Sequence, residues 1–168
     1  MEKSMTSENS RIRVYLAGDI SRDRWRFLVI EKCLDYPIDF LSPIDDISYS
    51  YQALIHAHKV KKVFHWADIL KVRRADVIFA YFRKESPSYY SGTSFECGVA
   101  FQLNKPIIMV CDMKPSEACK YELVKRFIDP EFYCEILEDG IEKLKELSYE
   151  MKFMPETRLK ETKISQGG

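Results

Sequence analysis

Residues 77–82 read Val-Ile-Phe-Ala-Tyr-Phe, six apolar side chains without a break. A strand with one wet face alternates apolar and polar residues, because successive side chains point to opposite sides. An unbroken run is therefore covered on both sides, the situation of a strand inside a parallel sheet. Parallel neighbours cannot be joined by tight hairpins and need crossover segments, normally helices. The remaining sequence meets that requirement. Short apolar runs at 12–17, 38–41 and 106–111, and a shorter one at 135–137, read as further strands, the first ended by Gly18 and the second by Ser42-Pro43. Between them the apolar spacing changes to three and four. Helices are expected from Asp23 to about Leu34 with Ser21 or Asp23 as N-cap, over 51–74 in two segments, and over 92–104, 117–127 and 139–151. The fold class is α/β, a parallel sheet flanked by helices.

A chain of 168 residues has the size of one domain, here 11–152, with a polar segment at 1–10 and a polar tail at 153–168 whose composition suits mobile ends. Lysine plus arginine and aspartate plus glutamate number 26 each, so no global field favours a polyanion. A small substrate is expected, and a nucleic-acid polymer is not. No apolar run approaches the roughly 20 residues that span a bilayer, and the N-terminus lacks the apolar core of a secretion signal. The cysteines (33, 97, 111, 119 and 134) form no CxxC pair and read as reduced, buried thiols. These features point to a cytoplasmic protein that binds neither membranes nor nucleic acid.

Ligands of parallel sheets gather beyond the carboxyl ends of the strands. Here those ends carry residues 18–24, 42–51, 83–92 and 112–116. The segment Ser91-Gly92-Thr93-Ser94-Phe95-Glu96-Cys97-Gly98-Val99-Ala100 passes from such a loop into a helix, with Gly92 allowing close backbone approach. Read as first-turn residues, Thr93, Ser94 and Glu96 meet the free N–H groups and positive end of the helix dipole, which favour an anionic ligand and an ionised Glu96. An ionised carboxylate can attack a glycosidic carbon and stabilise the oxocarbenium-like transition state. Taken alone, Glu96 would equally suit a helix start as a favourable acidic residue.

Three segments in order carry a closer identification: Tyr15-Leu16-Ala17-Gly18, Ala75-Asp76-Val77-Ile78-Phe79-Ala80, and Ser91–Ala100 followed by Asn104-Lys105-Pro106. Together they resemble the nucleoside 2-deoxyribosyltransferase family over about residues 14–110, with Gly-Thr-x-x-Glu-x-Gly-x-Ala before Lys-Pro as the specific part. The resemblance implies a flavodoxin/Rossmann-like domain with a five-stranded sheet and no cofactor. It implies that Glu96 attacks C1′ of a (2′-deoxy)nucleoside, releases the base, and passes the covalently held sugar to another base. Asp68, eight residues ahead of Asp76, takes the place of the family's acid/base for the nucleobase proton. Asp76 itself is read as a structural residue capping or turning the preceding helix end. Gly18, Asp19, Ile20, Ser21, Arg22, Tyr90, Ser91, Gly92 and Thr93 are the substrate-binding candidates.

The family's transferases commonly carry an aspartate six residues before the nucleophile, where this chain has Tyr90. Relatives that hydrolyse nucleoside 5′-monophosphates place serines in this loop, and Ser88, Ser91 and Thr93 could hold phosphate, aided by Arg22 and Arg24. An N-glycosidase acting on monophosphates is therefore the alternative, and a non-catalytic nucleotide-binding module the third reading. Trp25, Phe82, Tyr89 and Tyr90 could stack on a base or serve as core. His56, His58 and His65 lie on a helical stretch, but no carboxylate or cysteine completes a ligand set, so no metal is expected. The expected partners are a nucleoside or nucleotide, a free base and further copies of this chain, because family members usually complete the pocket with a neighbouring subunit.

Overall fold

A computed structural model describes residues 11–19, 24–42, 61–83, 90–112, 125–126 and 128–153. Five strands, β1 (Ile12–Gly18), β2 (Ile38–Leu41), β3 (Val77–Phe82), β4 (Ile107–Cys111) and β5 (Tyr133–Cys134), form one sheet in the order β2-β1-β3-β4-β5. Every pairing is parallel. The helices are α1 (Arg24–Lys32), α2 (Lys61–Arg74), α3 (Tyr90–Gln102) and α4 (Leu137–Phe153), with a short 3-10 turn at Pro130–Phe132. The expected α/β fold with a five-stranded parallel sheet is the observed one.

The continuous apolar run of β3 is buried at all six positions, between β1 and β4. Its side chains alternate between two cores. Val77, Phe79 and Tyr81 join Val14 and Leu16 of β1 under Trp25 and Val29 of α1 and Ile141 and Leu144 of α4. Ile78, Ala80 and Phe82 join Tyr15 and Ala17 of β1 beneath Val72 of α2 and Cys97 and Ala100 of α3. Burial on both faces is what the unbroken apolar pattern required. Two glycines let elements close on the sheet. A Cβ on Gly140 of α4 would run into Val110 and Phe79, and one on Gly18 would lie 2.7 Å from the Trp25 ring.

The turns that follow α2 and α3 are locked to each other. Asn104 takes a left-handed φ of 52°, the usual way to end a helix, and the Lys105 N–H donates to Ala100 O at 3.0 Å. The Lys105 ammonium then donates to the carbonyls of Arg73 and Ala75 at the end of α2. Asn-Lys-Pro is thus a helix stop, a tether to the neighbouring crossover and a strand entry in three residues.

Several expectations need correction. α1 stops at Lys32 rather than near Leu34, where backbone bonds from Cys33 and Leu34 to Ile30 and Glu31 tighten the chain into a turn. α3 spans Tyr90–Gln102 rather than 92–104, so Glu96 is its seventh residue and not in its first turn. The last strand is Tyr133–Cys134, whereas 135–137 leads into α4, which itself runs two residues further at each end than expected. Asp76 does not cap α2. Its carboxylate accepts from the Arg13 backbone N–H at 2.8 Å and from Nη2 at 2.8 Å, while its own N–H donates to Arg13 O at 2.7 Å, tying the start of β3 to the start of β1. Burial pushes the Asp76 carboxyl up, but the hydrogen bonds and charge of Arg13 outweigh it and hold it below the usual carboxylate range. Cys33, Cys97, Cys111 and Cys134 are buried, as read from their surroundings. Among the described residues no helix is long and apolar enough to cross a membrane. The expected helix at 117–127, apart from residues 125 and 126, the segment 51–60, Cys119, both chain ends and the N-caps Ser21 and Asp23 lie outside the described residues.

Candidate active site

Strand order reverses direction between β1 and β3, and the crevice at such a switch point is where parallel α/β sheets bind ligands. Tyr15, in the middle of β1, is completely buried and faces the α2 and α3 side. Its hydroxyl donates to Glu96 Oε1 at 2.8 Å. Burial, and after it the charges of Glu96 and Asp68, push the phenol far above its ordinary range, so it stays a donor. Asp68 on α2 is partly buried, and its negative charge is felt at both Glu96 and Tyr15. The two carboxyl groups singled out in the sequence therefore share one small region, brought together because α2 and α3 pack side by side over β1 and β3.

Burial dominates the electrostatics of Glu96 and raises its carboxyl. The Tyr15 hydrogen bond pulls it down, the Asp68 charge raises it again, and the Arg26 charge lowers it, leaving a value of about 8 against an ordinary 4.5. The sequence led to the opposite expectation, a carboxylate kept ionised by a helix N-terminus. That expectation fails because Glu96 sits in the second turn and is partly buried, its carboxyl turned inward onto Tyr15, so loss of water outweighs any help from the dipole. A buried carboxyl with a value displaced towards neutrality, next to a second carboxylate, is the usual mark of a group placed for chemistry.

The remaining candidates distribute as follows. Gly18 ends β1, and Asp19 follows it, 5 % exposed. Tyr90 and Ser91 open α3, Gly92 faces open space, and Thr93 is buried beneath that first turn. Arg24 opens α1 and is exposed. Trp25 and Phe82 are not free to stack on a base. Trp25 is 4 % exposed and packs edge-on against Tyr81 with centroids 5.3 Å apart, and Phe82 lies in the core beneath α2 and α3. Ile20, Ser21, Arg22, Ser88, Tyr89, His56 and His58 lie outside the described residues. His65 lies on α2, and among the described residues no group of three potential ligands could hold a metal. An apolar groove of about 600 Å³ runs along the outer side of α2 and α3, lined by Ile69, Phe95, Val99 and Leu103 among others, but neither Glu96 nor Tyr15 lines it.

Two residues of this region escaped the sequence reading. Tyr15 looked like one more apolar strand residue, and its polar tip in an otherwise aliphatic strand was the available signal. Arg26 lies three and seven residues before the buried Val29 and Cys33, so a charge on the buried face of α1 was legible. It is 1 % exposed, and Nη1 donates to Asp19 O at 2.9 Å and Nη2 to Gly18 O at 2.8 Å.

The comparisons with known proteins fit this geometry. A crystal structure of a conserved protein from Enterococcus faecalis V583 is similar, with TM-score 0.51 and 16 % identity over 81 % of this chain and 98 % of that one. So is a 2-deoxyribosyltransferase from the psychrotolerant bacterium Bacillus psychrosaccharolyticus, with TM-score 0.58 and 16 % identity over 76 % of this chain and 88 % of that one. At such identities the likeness speaks for the fold. No curated protein matches the chain. The family described as nucleoside 2-deoxyribosyltransferase matches residues 14–130, which include most of β1, all of α2, β3, α3 and β4, and with them Tyr15, Asp68 and Glu96. With more than half its length matched, this chain belongs to the nucleoside 2-deoxyribosyltransferase family.

Proposed function

We propose that the protein cleaves the N-glycosidic bond of a (2′-deoxy)nucleoside by attack of the Glu96 carboxylate on C1′ and transfers the sugar to a second base. The observation that carries this reading is the buried Glu96 carboxyl, hydrogen-bonded by Tyr15 and facing Asp68 across α2 and α3. As the Glu96–C1′ bond forms, the C1′–N bond breaks and its electron pair goes to the base, which takes a proton from Asp68 acting as acid. The incoming base then attacks C1′, the Glu96 ester bond breaks, and Asp68 takes up the proton. The charge on Glu96 balances the positive charge that grows on the sugar ring, an interaction made mainly in the transition state. Residues Gly18, Asp19, Ile20, Ser21 and Arg22 after β1, and Tyr90, Ser91, Gly92 and Thr93 at the start of α3, border the substrate in this reading. The steps call for no metal or cofactor. We expect the enzyme to work as a homo-oligomer in the cytoplasm, without nucleic-acid or membrane partners.

A second reading, hydrolysis of a nucleoside 5′-monophosphate, is favoured by Tyr90 at the position where transferases carry an aspartate. The backbone N–H groups of the α3 start at Tyr90 could hold a phosphate in this reading. Product analysis separates the two. Incubation with deoxynucleosides, and separately with their 5′-monophosphates, each with and without a second free base, yields a new nucleoside if transfer is right. Free base and sugar phosphate from monophosphates alone, unaffected by the added base, would replace transfer with hydrolysis. No product from either substrate would leave a nucleotide-binding module.

A further inference from the structure

Of the thirteen residues of α3 only Glu96 is charged, and its carboxyl turns inward onto Tyr15. A helix without a charged outer face belongs in an interior. One side of α3 is nevertheless open, with Phe95, Gly98, Phe101 and Gln102 exposed. Gly98 is the informative position. It stands in the middle of the helix, where glycine is the costliest residue after proline, and a Cβ there would meet nothing within 4 Å. Neither the sheet nor α2 requires the missing side chain, so the space over Gly98 fits a group that arrives from outside this chain. Beside it runs the apolar groove of about 600 Å³, with Phe95, Gly98, Val99 and Leu103 on one side, Ile69 of α2 on the other, and Arg73 as the one charged residue of its lining.

A single exposed apolar residue is ordinary, as with Phe27 of α1, which stands between exposed Arg24 and Glu31. On α2, α3 and the turn after it such residues lie on two helices packed side by side. Leu70 and Phe95 are more than half exposed, Phe101 nearly half and Leu103 more than a third. At about 200 Å² for a large side chain, these four leave roughly 400 Å² in water. That is half of the roughly 800 Å² that each partner contributes to a stable interface, before Ile69, Val99 and Gln102 are counted. A groove open to solvent with one charge in its lining gives a small ligand little to orient it. A transient partner would return this surface to water each time it left, whereas contact cores that are apolar and poor in charge are those of permanent homomeric interfaces. We propose that a second copy of this chain occupies the groove, in a two-fold contact in which each copy sets its own α3 against Gly98 of the other. Phe95 and Cys97 flank Glu96 and line the groove, so the second copy packs on the outer side of the turn whose inner side carries the Glu96 carboxyl. The proposal rests on the homo-oligomer expected above, to which it gives a place, and does not depend on the role of Glu96.

The test is sedimentation equilibrium of the full chain, without substrate, over about 1 to 100 μM. The wild type sediments as a dimer or larger. Gly98→Glu places a charge in the contact, and its dissociation constant rises by at least about 100-fold. The same substitution suits the separate chain, because glutamate is a better helix former than glycine and its Cβ enters open space, so helix content by circular dichroism stays that of the wild type. Phe95→Lys, at an exposed position, weakens association likewise, and it decides alone if Gly98→Glu fails to fold. Phe27→Lys, on the other side of the sheet, leaves association unchanged. A wild type that stays monomeric at every concentration overturns both this proposal and the expected homo-oligomer. A wild type that associates while Gly98→Glu and Phe95→Lys keep its dissociation constant overturns this face alone, as does a loss of association in Phe27→Lys only.

Discussion

Between about pH 4.5 and 8 the folded protein keeps a proton on Glu96 that the unfolded chain has already lost. Stability falls with rising pH wherever the native state binds more protons, so Glu96 costs nothing below about 4.5 and its full penalty applies above about 8. We expect Glu96→Gln, which cannot ionise, to be more stable than the wild type at pH 9, by up to a few kcal/mol (on the order of one for each pH unit of displacement), and to lose that advantage at pH 4.5. Urea denaturation at the two pH values checks it, and an equal difference at both would mean that Glu96 is not held in its raised state. The attacking form is the ionised one, so Glu96 must lose its proton, with a midpoint of about 8, before it attacks. Tyr15→Phe removes a bond to the carboxylate and should move that midpoint, read by carbon-13 NMR, to higher pH. Asp68→Asn removes a like charge and should move it lower, and because it also removes the proposed acid it should reduce kcat/KM by about 10²-fold, as for a typical acid/base group. At this scale the sequence singled out Glu96 and Asp68 through the resemblance to the family, which sets their places relative to Gly92 and Asp76. It did not reveal Tyr15 or Arg26, because what they do depends on contacts between residues 81 apart and on a strand end that α1 covers.

The elements whose boundaries were legible were those set by continuous burial. Val77–Phe82 and Ile38–Leu41 lie where their apolar runs lie, since a run of strand residues between two turns has little freedom to shift. The start of α3 was displaced because Gly92 was taken as the end of a loop, whereas a glycine inside a first turn is tolerated and here meets open space. The last strand was misplaced because two residues carry no period of their own. Lys105 illustrates a contact invisible to patterning, since its ammonium binds the far end of α2. We expect Lys105→Met to destabilise the fold by about 1 kcal/mol, because the carbonyls of Arg73 and Ala75 lose this donor, with the loss visible in the urea midpoint. Asn104→Val, forced into a left-handed turn, should cost about 1–2 kcal/mol, whereas Asn104→Gly should be nearly neutral. Similar costs for both Asn104 variants would mean that the turn does not depend on its conformation.

For the whole molecule, unbroken apolar runs alternating with stretches of three-and-four spacing were enough to point to a parallel sheet with crossovers. It was not enough to give the order β2-β1-β3-β4-β5, since any of several orders uses the same strands. That order matters for function. It puts β1 and β3 side by side, turns Tyr15 towards α2 and α3, and lets it bind Glu96 where the charge of Asp68 is felt. Tyr15 and Glu96, 81 apart in sequence, could not be joined by pattern alone, and here the fold joins them.

The most direct measurement of the central claim is chromatography of products after incubation of a deoxynucleoside with a different free base, using the wild type and Glu96→Ala matched for folding by circular dichroism. We expect the wild type to make the new nucleoside and Glu96→Ala to make at least about 10³-fold less, as loss of a covalent nucleophile does. Exchange that continues unchanged in Glu96→Ala would contradict the assignment of Glu96 as the attacking group.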